Sequence, residues 1–179
     1  HRVLANIIMS RPRCAIALGL PPDASEEDLI KWWRHYLGDA PNHPPLEVNG
    51  GPLVENVAEG EAVNIQSLPS PKWHEHDGGH FIGTGCIVAM RDPDTGIDNI
   101  GIYRHQVHSR NELGVQLSET ADGNVIWKKY EERGEPCPIA IIIGHHPAFF
   151  LGSLSYTPID SNELHIAGGI LQRPVPLVP

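Results

Sequence analysis

The sequence predicts one domain in which short β-strands and short helices are joined by many loops. Three observations carry this reading. Phe81 to Arg104, FIGTGCIVAMRDPDTGIDNIGIYR, has two apolar arms flanking DPDTG, with β-branched and aromatic residues at roughly alternating positions. Ser25 to Leu37 carries the start signals of a helix. The 179 residues include 17 prolines and 18 glycines, too many chain breakers for a helical bundle, while a 40% apolar content is enough for a core.

Taken in order, Arg2 to Leu20 mixes apolar residues with Arg11 and Arg13. Pro12 suits a first helical turn, with Ser10 as cap and Gly19 as terminator. In the helix over 25–37, Ser25 and Asp28 form a capping box, acidic residues fill the first turn and Gly38 ends it. Leu29, Trp32, Trp33, Tyr36 and Leu37 give it a broad apolar face for the core. Asp39 to Pro71 is rich in Pro, Gly, Asn and Glu. It reads as a meandering surface segment with one or two edge strands, from runs such as PLVENV and VNIQSL. In the hairpin turn, Pro93 presets φ, Asp94 can bond its own backbone and Gly96 tolerates positive φ. Asn124 to Arg133 reads as a helix ending at Gly134, and Ile139 to Ile143 as a buried strand. Pro147 to Leu151 and Ser161 to Leu171 read as two further helices, the second capped by Ser161 or Asn162.

A net charge of −9 excludes a nucleic-acid or anionic-membrane surface. No apolar run is long enough to span a bilayer, and no signal peptide opens the chain. Cys14, Cys86 and Cys137 are an odd, widely spaced set, read as reduced thiols in a cytoplasmic protein. Cys86, within an apolar strand, reads as a buried inert thiol. HRVLANII reads as the interior of an element and PVPLVP as an apolar extended stretch. The sequence therefore reads as a piece of a longer protein.

Among candidate sites, His74 to His80, HEHDGGH, superficially resembles the HxHxDH run of metallo-β-lactamase-like hydrolases. Its order departs from that motif, because Asp77 directly follows His76 and two glycines precede His80. His145 and His146 read as a solvated strand-to-helix turn. No GxSxG, P-loop or GxGxxG is present. Asn99, Asp122 and Glu163 are hard oxygen donors suited to Mg²⁺ or Mn²⁺, and Arg104 suits a carboxylate held bidentately. Asn99 and Arg104 are five residues apart. They face opposite sides of a regular strand unless a bulge or strand end intervenes.

The pattern TxGxxxxxRDPxTGxxNxGIYRxQV resembles the flavin-binding core of the UbiD-type decarboxylases, which use prenylated FMN. Four more segments follow in the family's order: SRPRCAIALGL, LPSPKWHEHDGGHFIGTG, KKYEERGEPCPIAIIIGHHPAFFLGS and NELHIAGGILQRPVPLV. The resemblance implies an α+β fold, a split β-barrel flavin-binding domain that is β-rich with flanking helices. It covers 1–179 as one flavin-binding core, with an opening segment over 1–71 and the hairpin and cofactor region over 72–179. The implied activity is reversible, non-oxidative decarboxylation of an aromatic or α,β-unsaturated carboxylic acid.

The same resemblance implies a site. Asn99 and Glu163 fall on two of the family's three metal ligands, which hold Mn²⁺ or another divalent ion, with K⁺ nearby, against the flavin phosphate. Counting without gaps from Arg104 puts Asp122 on the third, where the family usually has histidine. Arg104 falls on the arginine that holds the substrate carboxylate, Thr84 on a threonine near the cofactor, and Ser153 and Ser155 on the loop that wraps phosphate and metal. The family's two catalytic glutamates and its oligomerisation domain correspond to sequence after Pro179, so the 179 residues alone are expected to be inactive. The implied partners are the carboxylic acid substrate, a flavin prenyltransferase that supplies the cofactor, and further copies of the chain in a homo-oligomer. Two other readings stand beside this one: a non-catalytic flavin-binding or assembly fragment, and the histidine-based metal hydrolase.

Overall fold

In a computed structural model of the protein, residues 3–39, 43–155 and 157–178 are described. The readings at His1, Arg2 and Pro179, and the side chains at 37–39, lie outside them.

The first helix, α1 (Arg11–Ala17), follows Ser10 in extended conformation and has Pro12 in its first turn. Gly19 takes φ +73°, donating to Ile16 O, while Leu20 N–H reaches Ala15 O; these two bonds close the helix end. Helix α2 (Glu26–Asp39) starts on the expected reciprocal cap. Ser25 N–H donates to Asp28 Oδ2 at 2.9 Å, and Asp28 N–H donates to Ser25 Oγ at 3.1 Å. The helix runs through Gly38 to Asp39, past the expected stop. Its Leu29, Trp32 and Trp33 pack with Cys14 against Leu18, Ala148, Ile166 and Ile170, which is the core-facing role expected of that face.

The strands fall into three separate sheets, with no closed barrel among the described residues. β1 (Leu46–Glu47) pairs in parallel with β8 (Pro176–Leu177). PLVENV and VNIQSL, expected as strands, instead contribute short 3₁₀ turns at Pro52–Val54 and Ile65–Ser67.

The hairpin is real but divided between two sheets. β3 (Ile87–Arg91) and β4 (Asp98–Gly101) form its tip, with Met90 opposite Asn99 and Arg91 opposite Asp98. β2 (Phe81–Ile82) and β5 (His105–Val107) form its base and belong with β6 (Leu113–Val115) in another sheet. The first arm breaks at a turn, where Gly83 takes φ +66° and Cys86 N–H donates to Gly83 O. A Cβ on Gly83 would lie 2.3 Å from Cys86 Sγ, so glycine is required there twice over. The second arm breaks over 102–104.

The turn at the tip behaves as expected. Asp92 accepts from Asp94 N–H at 2.8 Å, and Gly96 takes φ +72°. It is held by α3 (Asp122–Arg133), which starts two residues before the expected Asn124 and ends at left-handed Gly134. Lys129 Nζ lies 2.6 Å from Asp92 and 3.0 Å from Asp94, Arg133 pairs with Asp94, and Tyr130 Oη donates to Arg91 O.

β7 (Ile139–Ile142) pairs only with β3 and lies at a sheet edge. Ile139 and Ile143 are exposed, against the expectation of a buried strand. An apolar run reports β-propensity but not what covers it. Helices α4 (Pro147–Ser153) and α5 (Glu163–Leu171) pack so closely that a Cβ on Gly152 would lie 2.9 Å from the Ala167 backbone. Phe149, Leu164, Ala167 and Val175 join Ile87 and Ile100 in the main core, which anchors α5 beneath β4.

Candidate functional site

One open cleft of about 700 Å³ collects residues from elements distant in sequence. Asn99 comes from β4, Arg104 from the break between β4 and β5, Asp122 from the start of α3, Ser153 and Ser155 from the end of α4, and Glu163 from the start of α5. Six of the seven residues expected at the site therefore line one cavity. Thr84, the seventh, is exposed on the Gly83–Cys86 turn and is not part of the lining.

The cleft floor is Glu163, only 3% exposed, at the first position of α5, whose cap is Asn162 accepting from Leu164 N–H. An acidic residue there meets the positive end of the helix. Glu163 Oε1 accepts from Asn99 Nδ2 at 3.1 Å and from Thr157 Oγ1 at 3.4 Å, while Oε2 accepts from Ile100 N–H at 3.3 Å. Burial pushes its carboxyl above the usual range. Backbone N–H groups and Asn99 pull the other way, and the charge of Asp122 adds to the upward pressure.

Asn99 is 5% exposed. A carboxylate can only accept, so Asn99 must present its NH₂ to Glu163. Its Oδ1 is left buried with no partner among the described residues. The orphaned amide oxygen and the desolvated carboxylate, with Asp122 on the same cleft, are oxygen donors of the type that suits a hard cation.

Arg104 is exposed and makes no hydrogen bond or ion pair among the described residues; its guanidinium lies over the Phe81 ring, 5.8 Å from the centroid. Because residues 102–104 leave the strand, Arg104 shares the cleft with Asn99 despite the odd spacing. Ser153 Oγ donates to Phe150 O at 2.8 Å, and Ser155 Oγ to Leu151 O at 3.5 Å.

Sequence reasoning missed Tyr103, Gln116, Ser118 and Thr157. Tyr103 is flagged by GIYR itself, whereas the others carry no local signal. The histidines lie elsewhere. His74 N–H donates to Asp77 Oδ2 in a tight turn, and His80 Nδ1 meets Ser70 O. HEHDGGH lies on a loop before β2, and among the described residues no group of three or more His, Cys, Asp or Glu is placed to hold a metal. His146 caps α4 by accepting from Ala148 N–H, and His145 stacks on Phe150. Cys86 is buried, its thiol pushed up to about 11 by desolvation, as expected of an inert core cysteine.

The chain is thus an α+β domain in which buried Asn99 and Glu163 share an open cleft with Asp122 and Arg104, and the comparisons with known proteins give its family. Residues 46–179 match the model of the UbiD 3-octaprenyl-4-hydroxybenzoate carboxy-lyase Rift-related domain, and the chain belongs to that family. It is 33% identical over 180 residues to a phenolic acid decarboxylase of Escherichia coli O157:H7, covering 98% of this chain and 38% of the relative. The UbiD-class enzyme HmfF of Pelotomaculum thermopropionicum, solved with FMN, superposes with a TM-score of 0.80 at 32% identity, over 94% of this chain and 37% of that one. An evolved dimeric form of HmfF with prenylated FMN gives 0.78 at 31% identity, over 94% and 38%. The chain thus spans little more than a third of the length of these relatives.

Proposed function

We propose that this chain is the flavin-binding part of a non-oxidative (de)carboxylase acting on an aromatic or α,β-unsaturated carboxylic acid with prenylated FMN. The observation that carries the reading is the meeting of Asn99, Arg104, Asp122, Ser153, Ser155 and Glu163 on one cleft, with Asn99 Oδ1 left unpartnered. When bound, the prenylated flavin supplies the electron sink for the carbon that loses CO₂.

The chain's own residues do the rest. Arg104 presents a planar fork, engaged by no hydrogen bond or ion pair among the described residues, to the substrate carboxylate. Asn99, Asp122 and Glu163 would hold a divalent ion such as Mn²⁺, whose charge offsets two carboxylates and the flavin phosphate. The hydroxyls of Ser153 and Ser155, with a K⁺ ion, would hold the phosphate. Thr84 is read as lying near the cofactor, although it is not part of the cleft lining. A flavin prenyltransferase supplies the cofactor, and the working protein is a homo-oligomer in the cytoplasm. The free thiols of Cys14, Cys86 and Cys137 support that compartment. No helix among the described residues is long and apolar enough to cross a membrane.

A second reading, a flavin-binding fragment without catalysis, draws on one specific observation. Among the described residues, Asp122 and Glu163 are the only carboxylates lining the cleft, and as metal ligands they would be ionised and poor proton donors. Residues 1–179 alone then supply no acid to reprotonate the carbon.

The test is CO₂ release from a panel of cinnamic, hydroxybenzoic and heteroaromatic acids, using protein expressed from its whole reading frame. Release that requires prenylated FMN and fails with FMN alone is expected. No release from any acid, with the cofactor bound, would overturn the decarboxylase reading.

A further inference from the structure

Helix α3 has no cap of its own. Ala121 stands at the N-cap position, where a Ser, Thr, Asp or Asn side chain would accept one of the free N–H groups of the first turn. The acceptor comes instead from a residue twenty positions earlier. Tyr103 Oη takes the Gly123 N–H at 3.1 Å.

The Tyr103 ring fits closely against two glycines. A Cβ on Gly101 would lie 2.9 Å from Oη, and one on Gly123 2.7 Å from it. The backbone of Tyr103 is fixed as well. Its carbonyl accepts from the Cys86 thiol at 3.6 Å, and the same sulfur lies 3.9 Å from Nδ1 of buried His105. Tyr103 thus joins two pieces of the cleft: Arg104 is the next residue in the chain, and Asp122 is the residue before Gly123.

We propose that Tyr103 is a positioning residue that stands in for the missing helix cap and so fixes Asp122 against Asn99 and Glu163. A residue that only filled space would need the ring and not the hydroxyl. Here the hydroxyl meets the amide next to Asp122, and a side chain on either glycine would collide with it. The inference rests on the reading of Asp122 as a metal ligand, and the experiment separates the two.

Mn²⁺ affinity is measured by electron paramagnetic resonance titration of the whole protein, with thermal midpoints recorded alongside. Tyr103→Phe keeps the ring and removes the acceptor. It should weaken Mn²⁺ binding about fivefold and lower the thermal midpoint by roughly 2–4 °C, as the loss of one capping hydrogen bond does. In an Asp122→Ala background, Tyr103→Phe should change the affinity no further, because the side chain it positions is gone. Ala121→Ser, which provides a local cap, should restore the affinity of Tyr103→Phe. Gly123→Ala attacks the same contact from the other side and should also weaken binding, although alanine is the better helix former.

Equal Mn²⁺ affinity in wild type and Tyr103→Phe would overturn the inference and leave the metal reading intact. So would an unchanged loss in the Asp122→Ala background. No Mn²⁺ binding by the wild type would overturn both.

Discussion

Glu163→Gln should stabilise the metal-free protein and abolish its response to metal. The carboxylate is 3% exposed, and burial pushes it toward its neutral form. Glutamine has nearly the same shape and no charge to desolvate. Its carbonyl can keep the Ile100 N–H bond, and its NH₂ can donate to Asn99 Oδ1 once that amide turns over, which leaves Asn99 Nδ2 in the partnerless position, so the gain comes from removing the buried charge. The cost relieved is that of a poorly compensated buried polar group, about 1–3 kcal/mol. Part is returned, because Asn99 Nδ2 and Thr157 Oγ1 lose a charged acceptor. A net gain of about 1 kcal/mol, or roughly 2–4 °C in a protein this size, is expected. The assay is thermal denaturation in EDTA and again with Mn²⁺. Wild type should melt lower in EDTA and rise with Mn²⁺, since a ligand bound only by the folded state stabilises it. Glu163→Gln should melt higher in EDTA and stay there. A variant less stable than wild type in EDTA, or one that rises equally with Mn²⁺, would refute the reasoning.

Arg104→Ala should change the melting temperature little and abolish decarboxylation, because its side chain is exposed and, among the described residues, makes no hydrogen bond or ion pair. Arg104→Lys should also be severely impaired in a CO₂-release assay, since an ammonium lacks the planar fork. Lys129→Ala removes the cation from Asp92, which is 6% exposed. It should cost about 2 kcal/mol by urea denaturation, below the range for a fully buried pair because Lys129 is partly in water. Burial would push Asp92 up, but Lys129 and the N–H groups of Asp94 and Thr95 hold it below its ordinary value. That stabilisation is present at neutral pH and is lost on acidification in the wild type. His105, 1% exposed, has its imidazole pushed below 6.5 by burial, so the folded state resists protonation. The unfolded chain then binds more protons as pH falls below about 6.5, and the urea midpoint should drop between pH 7.5 and 5.5, less so in His105→Gln.

What the sequence made legible was local. The Ser25–Asp28 box, Pro12, the Asn162 cap, Gly134 and the DPDTG turn all act within a few residues, and each forms as the residue types require. The errors were non-local. Nothing in FIGTGCIVAM tells that Gly83 turns the chain out of one sheet before Ile87 enters another. Nothing in PIAIII tells that β7 lies at an edge. The site is the extreme case: Asn99 and Glu163 are 64 residues apart, and as residue types they are ordinary. Only the resemblance to a family brought them together ahead of the fold. The helix cap that Tyr103 supplies to α3 was invisible for the same reason, since the clue in sequence was an alanine where a cap was missing.

The central claim is tested most directly by native mass spectrometry of the protein produced beside a flavin prenyltransferase. One prenylated FMN and one divalent cation per chain are expected, and Asn99→Ala should lose both together. Protein that carries neither, or a metal that persists in Asn99→Ala and departs in a His74→Ala, His76→Ala double variant, would contradict the account.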